Sequence, residues 1–332
     1  MRFRSRVLFH APLVLMAVWP AAAQQTSSGP GVVTRDTLEH WMRRVSNAGR
    51  WGAADELGTL NLITPLARRR AAALVQQGTT VSLAHELVPG PNPRAIGPLA
   101  LRFLSASVDS LVTWGVDSTT VLFHGWAYSH IDALAHTSWR GKMYNGFDTS
   151  AFQATGTRHL GVNAMGNGIV TRGILVDMPR LLGVPYLEPG TVITAADLDK
   201  WVRLHRIEVQ PGDVLLIRTG RWAREAALGG WDVTRGAAGP HPSVALWLHA
   251  RGVSAMGGDV SNELYPSVVP GVSDPLHQLA LVAMGMPLMD NLDLEALARA
   301  AAAEGRWTFM FVAAPLRIRG GSGSLLNPIA LF

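Results

Sequence analysis

Apolar positions along this chain fall into two kinds of pattern. Some recur at helical spacing, over Arg35–Val45, Val244–Arg251, Leu276–Met284 and Leu294–Ala303. A further helix is predicted over Leu66–Gln77, with Thr64 as its cap, Pro65 in its first turn and Gly78 after its last. Thr194, followed three residues later by Asp197, opens another capped helix. The other kind is a short apolar or β-branched run. Such runs predict strands over Thr80–Leu87, Ile169–Asp177, Asp213–Thr219, Val253–Met256 and Trp307–Arg317, with Leu288–Leu292 extended. Pro89–Pro98 has neither period and reads as a loop, whether a lid, a partner-facing arm or an inert connection. Helices and strands are mixed, without an internal repeat and without a linker after residue 34. One α/β domain over residues 35–332 is the expectation, preceded by a Ser/Thr/Gly/Pro linker over residues 24–34.

The first 23 residues follow a different logic. Arg2, Arg4 and Arg6 precede a short apolar run that ends in Pro20-Ala21-Ala22-Ala23. A basic start, an apolar middle and small residues at the end make a secretory signal peptide, cut after Ala23. The run is shorter than the roughly 20 residues a membrane span needs. Leu279–Met289 is also apolar, but it is short and broken by Gly285 and Pro287. The expectation is an exported protein, periplasmic or secreted, with no membrane attachment once the signal is gone.

Charge and composition narrow the chemistry. The formal net charge of +5 comes from 29 Lys+Arg against 24 Asp+Glu, and removing the leader leaves 26 against 24. No Lys/Arg stripe interleaved with aromatics is present, so nucleic acid is not an expected partner. There is no Cys, which excludes disulfides, thiol nucleophiles and Cys-ligated zinc. No G-x-S-x-G elbow exists for a serine hydrolase, and no G-x-x-x-x-G-K-[ST] for a phosphate cradle. Gly320–Ser324 reads as a turn near a site.

Candidate chemistry concentrates in Phe123–Gly146, which holds His124, His130, Asp132 and His136. If Leu122–Ala133 is extended, His130 and Asp132 share a face with Cα atoms ~6.6 Å apart, close enough to meet one ion. Imidazole and carboxylate suit Zn²⁺ or Mn²⁺. His124 has the same parity but lies ~20 Å away along a straight strand. It joins only if the backbone bends, which Gly125 permits. Otherwise it is an ordinary core or surface histidine. His136, just past the strand, is the candidate general base or acid.

Ser129-His130-Ile131-Asp132-Ala133-Leu134-Ala135-His136 resembles the fingerprint H-x-G-T-H-x-D-x-P-x-H of the cyclase family, metal-dependent hydrolases that include bacterial kynurenine formamidase and isatin hydrolase. Leu134 stands where many members have Pro, Ser129 where many have Thr, and His124 precedes His130 by six residues instead of four. Similarity to the family's larger branch extends along the mature chain. It includes W-G-x-x-D-E-x-G-x-L-N from Trp51, G-K-M-Y-N-G from Gly141, R-T-G-R-W from Arg218, H-P-S from His241 and D-N-L-D-L from Asp290. The resemblance implies a swivelling β/β/α domain, homodimeric or homotetrameric. It implies metal ligands at His130, Asp132 and His124, an acid–base role for His136, and a second site completed by His277 and Asp290, where Asp replaces the more familiar Glu. It also implies one or two divalent ions per subunit and hydrolysis of an amide, lactam or ester bond in a small substrate, an aromatic or cyclic amide above all. Without the resemblance His277 reads equally as a core residue and Asp290 as a helix cap. Asp259, which follows a strand, and Trp126, Tyr128, Trp139, Tyr144 and Trp222 are candidates for a substrate wall, against the alternative of core packing. The reading that competes with an enzyme is an exported protein that captures metal or a small ligand without turnover.

Overall fold

The computed structural model describes residues 31–107 and 110–332, so the proposed leader and most of the linker lie outside the described residues. The end of that linker belongs to the fold. Val33 is buried, its N–H donates to Val268 O, and Thr34 caps the helix Arg35–Arg44 by accepting from Thr37 N. Among the described residues no helix is long and apolar enough to cross a membrane.

The apolar runs assemble into one curled nine-stranded sheet. In chain order its strands are β1 (Thr80–Ser82), β2 (His130–Asp132), β3 (Ile169–Asp177), β4 (Val214–Arg218), β5 (Ala255–Gly258), β6 (Leu288–Asp290), β7 (Thr308–Ala313), β8 (Gly323–Leu325) and β9 (Ile329–Leu331). Across the sheet the order is β1-β9-β7-β3-β4-β5-β6-β2-β8. The central neighbours β3, β4, β5 and β6 are parallel. They read as unbroken apolar runs because both faces are covered: β4, β5 and β6 are buried throughout. β7 is antiparallel to β3 and alternates buried with half-buried positions, as a strand with one covered face does.

Most helices begin and end where the sequence places them. Thr194 and Asp197 form a reciprocal capping box at Ala195–Leu204. Thr64 caps a helix that runs Pro65–Ala72 and stops short of Gly78. Strand ends are trimmed more: Thr80–Leu87 shrinks to Thr80–Ser82, since that edge strand has only three residues of β9 to pair with. Pro315 helps end β7 before the predicted Arg317.

Two differences bear on the site. The predicted extended run Leu122–Ala133 is a strand only at His130–Asp132, and Gly125 bends the chain ahead of it with φ +119°. An antiparallel hairpin, Ala100–Ser107 with Thr113–Thr120, has no counterpart in the sequence reading. It is separate from the main sheet, and every residue in its two strands is exposed.

Candidate metal centre

β2 is the pivot of the site. It lies between β6 and β8, with His130 opposite Asp290 and Asp132 opposite Gly323. His130 and Asp132 are two apart and share a face, and a directly opposed residue shares that face too, so His130, Asp132 and Asp290 project together. Gly323 contributes no side chain beside Asp132, and the His124 ring occupies that space. The bend at Gly125 brings His124 back over the sheet, so that its Nε2 lies 3.3 Å from Asp132 Oδ1. His136 follows a tight turn, with its N–H donating to Ala133 O. It stacks on His124 at 4.3 Å between ring centroids. His277 enters from the far side, at the end of the short helix Pro275–His277 and the start of a π-helical stretch, Gln278–Met284. π-helical segments occur frequently at functional sites.

Asp132 serves both halves of the cluster. Its Oδ1 faces His124 Nε2 and His130 Nε2, the latter at 3.5 Å. Its Oδ2 faces His277 Nε2 at 3.5 Å and His136 Nε2 at 3.9 Å. Asp290 Oδ2 lies 3.7 Å from His277 Nε2 and 4.0 Å from His130 Nε2. Two groups therefore have the spacing to hold a metal ion: His124 with His130 and Asp132, and Asp132 with His277 and Asp290. Both Asp132 oxygens and His124 Nε2 are buried without a hydrogen-bond partner. A carboxylate withdrawn from water is costly unless a cation or donors compensate it, so a divalent cation fits this donor set.

Ring tautomers agree with that fit. His130 Nδ1 donates to Tyr128 O at 2.8 Å, and His277 Nδ1 donates to Glu263 Oε1 at 2.9 Å. Each bond leaves the Nε2 lone pair aimed into the cluster. Burial pushes the Asp132 carboxyl up, but His136, His124, His277 and His130 outweigh it and hold it well below the carboxylate range. Burial pulls His277 down, yet Asp132, Asp290 and Glu263 raise it well above the ordinary imidazole value. An ion at that group competes with this proton. Burial lowers His136, against the pull of Asp132, so its ring is neutral near pH 7 and can accept a proton. Burial likewise pushes Glu263 up to about 7.

The substrate-wall candidates are placed differently. Both oxygens of Asp259 are taken up by Thr219 N, Thr219 Oγ1, Gly220 N and Arg221 N, which anchors the helix Arg221–Leu228. Tyr128 is buried and supplies its carbonyl to His130 and to Asn291 Nδ2. Trp126 packs against a small cluster of Val233, Ala237, Val260 and Tyr265. Tyr144 is a core residue whose hydroxyl donates to Asp55 Oδ2, and Trp222 Nε1 donates to Leu292 O. The aromatic ring beside the ligands is instead Phe123, 4.5 Å from the His124 ring and 5.9 Å from that of His130.

Further residues outside the candidates singled out from the sequence complete the support. Asn262 Nδ2 donates to Asp290 Oδ1 at 2.5 Å. Arg221 donates to Asn291 Oδ1 and to Trp126 O, while Asn291 Nδ2 donates to Gly125 O at 2.7 Å, tying the His124 bend to the end of β6. Asn262 and Asn291 both hold positive φ, 54° and 55°, a conformation Asn tolerates better than most residues. His124 and His136 are 27% and 30% exposed against 2% for His130, so solvent reaches the cluster along that side.

Comparison with known proteins agrees with this geometry. The family model described as "Putative cyclase" matches residues 79–262. A solved structure of a novel cyclase is 30% identical, with 86% of this chain and 99% of that one covered and a TM-score of 0.77. Isatin hydrolase A from Ralstonia solanacearum shares the fold at 20% identity, with 80% and 95% coverage and a TM-score of 0.51. An isatin hydrolase bound to the product analogue thioisatinate shares it at 19% identity, with 82% and 98% coverage and a TM-score of 0.52. Among curated proteins no sequence matches.

Proposed function

This chain belongs to the cyclase family, and we propose that it is a metal-dependent hydrolase that opens a C–N amide or lactam bond, or an ester, in a small aromatic or cyclic substrate. The observation that carries the reading is Asp132, a buried carboxylate with both oxygens unpartnered and three imidazole Nε2 atoms within 3.5 Å of one oxygen or the other. A zinc or manganese ion bound there supplies a water of lowered pKa and a Lewis acid for the substrate carbonyl. His124, His130 and Asp132 would hold one such ion, and Asp132, His277 and Asp290 are the donors for another.

The protein's own contribution is orientation and proton movement. Tyr128 O fixes the His130 ring and Glu263 fixes that of His277. His136, neutral and partly open to solvent, takes a proton at Nε2 and returns it to the leaving nitrogen or oxygen. Phe123 offers a flat apolar surface beside the ligands, which suits a planar substrate. The sequence before residue 24 supports action outside the cytoplasm, and the exposed apolar hairpin supports a homo-oligomer.

Hydrolysis of a panel of amides, lactams and esters, measured before and after chelation and metal return, tests the reading. Turnover lost on chelation and regained with zinc or manganese is expected. Metal retention with no turnover across the panel would mean a binding protein. His136→Ala is expected to lower kcat/KM by about 10²–10⁴ with metal content unchanged, and unaltered turnover would remove His136 from the mechanism.

A further inference from the structure

A cation accounts for the unpartnered Asp132 oxygens and His124 Nε2, but another orphaned atom belongs to the residue next to a ligand candidate. Gln278 directly follows His277, at the point where the helical turn Pro275–His277 gives way to the π-helical stretch. Consecutive residues on a helix point roughly 100° apart. Here both reach the segment that carries Asp132 and His136. His277 Nε2 lies 3.5 Å from Asp132 Oδ2, and Gln278 Nε2 donates to Thr137 Oγ1 at 3.1 Å. Thr137 is the residue after His136, whose ring centroid is 6.4 Å from that of His277. The Gln278 amide thus links the turn that bears the acid–base candidate to the helix that bears a ligand candidate.

The fold uses only the nitrogen end of this amide. Gln278 Oε1 is buried and has no hydrogen-bond partner. Donors on the adjoining residue are engaged elsewhere: His277 N and Nδ1 both donate to Glu263 Oε1. The Gln278 N–H donates to Asp274 O. A buried acceptor left unpaired is destabilising, and a donor carried by a ligand would satisfy it. Oε1 is neutral and can only accept, so the group it selects is a donor such as N–H. An amide or lactam can present an N–H beside its carbonyl. An ester presents only lone pairs there and would leave Oε1 unpaired. Sites that pair with a substrate N–H reject analogues lacking it far more strongly than apolar pockets reject a change of size.

We propose that Gln278 is a specificity-determining residue whose Oε1 accepts the substrate N–H, so that the site selects amides and lactams carrying an N–H over esters and N-alkylated amides. The proposal rests on the metal-dependent hydrolase reading above and narrows its substrate class, but its first readout is ligand binding and not turnover. The full chain, loaded with zinc, is titrated by calorimetry with hydrocarbostyril, a fused aryl lactam, and with its N-methyl form. Gln278→Met keeps the length of the side chain and removes both polar atoms. Its affinity for hydrocarbostyril is expected to fall roughly 10–100-fold, with the affinity for the N-methyl form and the zinc content unchanged. Gln278→Glu retains an acceptor and is expected to restore the preference for the N–H form. In turnover, kcat/KM for hydrocarbostyril should fall by the same factor in Gln278→Met, while that for dihydrocoumarin, the lactone with oxygen in place of N–H, holds. A link to Thr137 that only supports the fold would weaken all these ligands alike. Equal losses for both lactams, an unchanged hydrocarbostyril affinity or a wild type that binds neither lactam would overturn the proposal. So would zinc lost with the side chain, which would make Oε1 a metal ligand. If Gln278→Met does not fold, a crystal structure of zinc-loaded wild type with hydrocarbostyril decides: the lactam N–H on Gln278 Oε1 upholds the assignment, and the N–H on any other group defeats it. A protein that binds hydrocarbostyril through Gln278 and hydrolyses nothing keeps this assignment and loses the enzyme reading. A chelator-sensitive hydrolase whose Gln278→Met form treats lactam and lactone as wild type does is the reverse case.

Discussion

Gly323 shows how closely the site depends on a single missing side chain. A Cβ at this position would lie 2.5 Å from Ile131 O on the neighbouring strand and 2.9 Å from His124 Nε2. The backbone contact cannot relax by rotating a side chain, so the strand pair must shift. Gly323→Ala is expected to cost about 1–3 kcal/mol of stability and to push the His124 ring off Asp132. Thermal unfolding and zinc titration of the variant check both parts. Unchanged affinity of the His124-containing group would show that the ring does not need the space. Residue by residue, legibility followed distance along the chain. His130 and Asp132 can be read from a spacing of two, because strand geometry alone puts them together. His124 could be read only conditionally, and the bend at Gly125 supplies the condition. Asn262 and Glu263 could not be read at all, since their partners lie 28 and 14 residues away and only the packing of β6 and the Pro275–His277 helix brings them close. Asp259 was ambiguous because a carboxylate after a strand suits either a pocket or a helix anchor, and in the structure the backbone N–H groups of residues 219–221 hold it.

At the scale of elements, the segment that leads into the helix Val244–Arg251 carries a pH dependence apart from the metal cluster. His241 N donates to Ile193 O, Val244 N donates to His241 O, and Ser243 N donates to His241 Nδ1 at 3.3 Å. The residue is 7% exposed, and burial lowers its pKa below the ordinary imidazole value. The folded state therefore binds fewer protons than the unfolded one. The stability this contributes is present above the unfolded value of about 6.5. It is lost as pH falls from there through the lower folded value. Protonation at Nδ1 would also remove the acceptor that Ser243 N uses. In chelated protein the stability gap between wild type and His241→Gln should narrow between pH 8 and pH 5.5, as followed by urea denaturation. A constant gap would count against the assignment. Elements with a local signal were legible: the capping box at Thr194, the cap at Thr64 and the apolar runs of β3 and β4. The hairpin was not, because its strands carry apolar side chains toward both faces and lack the alternation that a half-buried strand shows.

That hairpin sets the question at the scale of the whole molecule. Leu104 pairs with Val116 and Ala106 with Trp114, so these four share one face, while Leu101 and Phe103 point to the other. Trp114 is 59% exposed and Phe103 66%. A two-stranded hairpin is marginal by itself in water, and clustered exposed apolar side chains mark an interaction surface. The only charged residues in the two strands are Arg102 and Asp117, one of each sign, which gives a strongly charged partner little to recognise. A two-stranded sheet has two edges, and an edge can pair with its own copy across a two-fold axis. A second copy of this chain is the occupant we propose, and the hairpin would be an arm of the dimer or tetramer. Light scattering at micromolar concentration should give a mass of two or four chains for wild type. The double variant Leu104→Ser, Trp114→Ser should move toward one chain, with its zinc content unchanged because the metal cluster lies on the separate nine-stranded sheet and its flanking loops. A monomeric wild type, or a variant of unaltered mass, would show that the arm is not what joins the subunits.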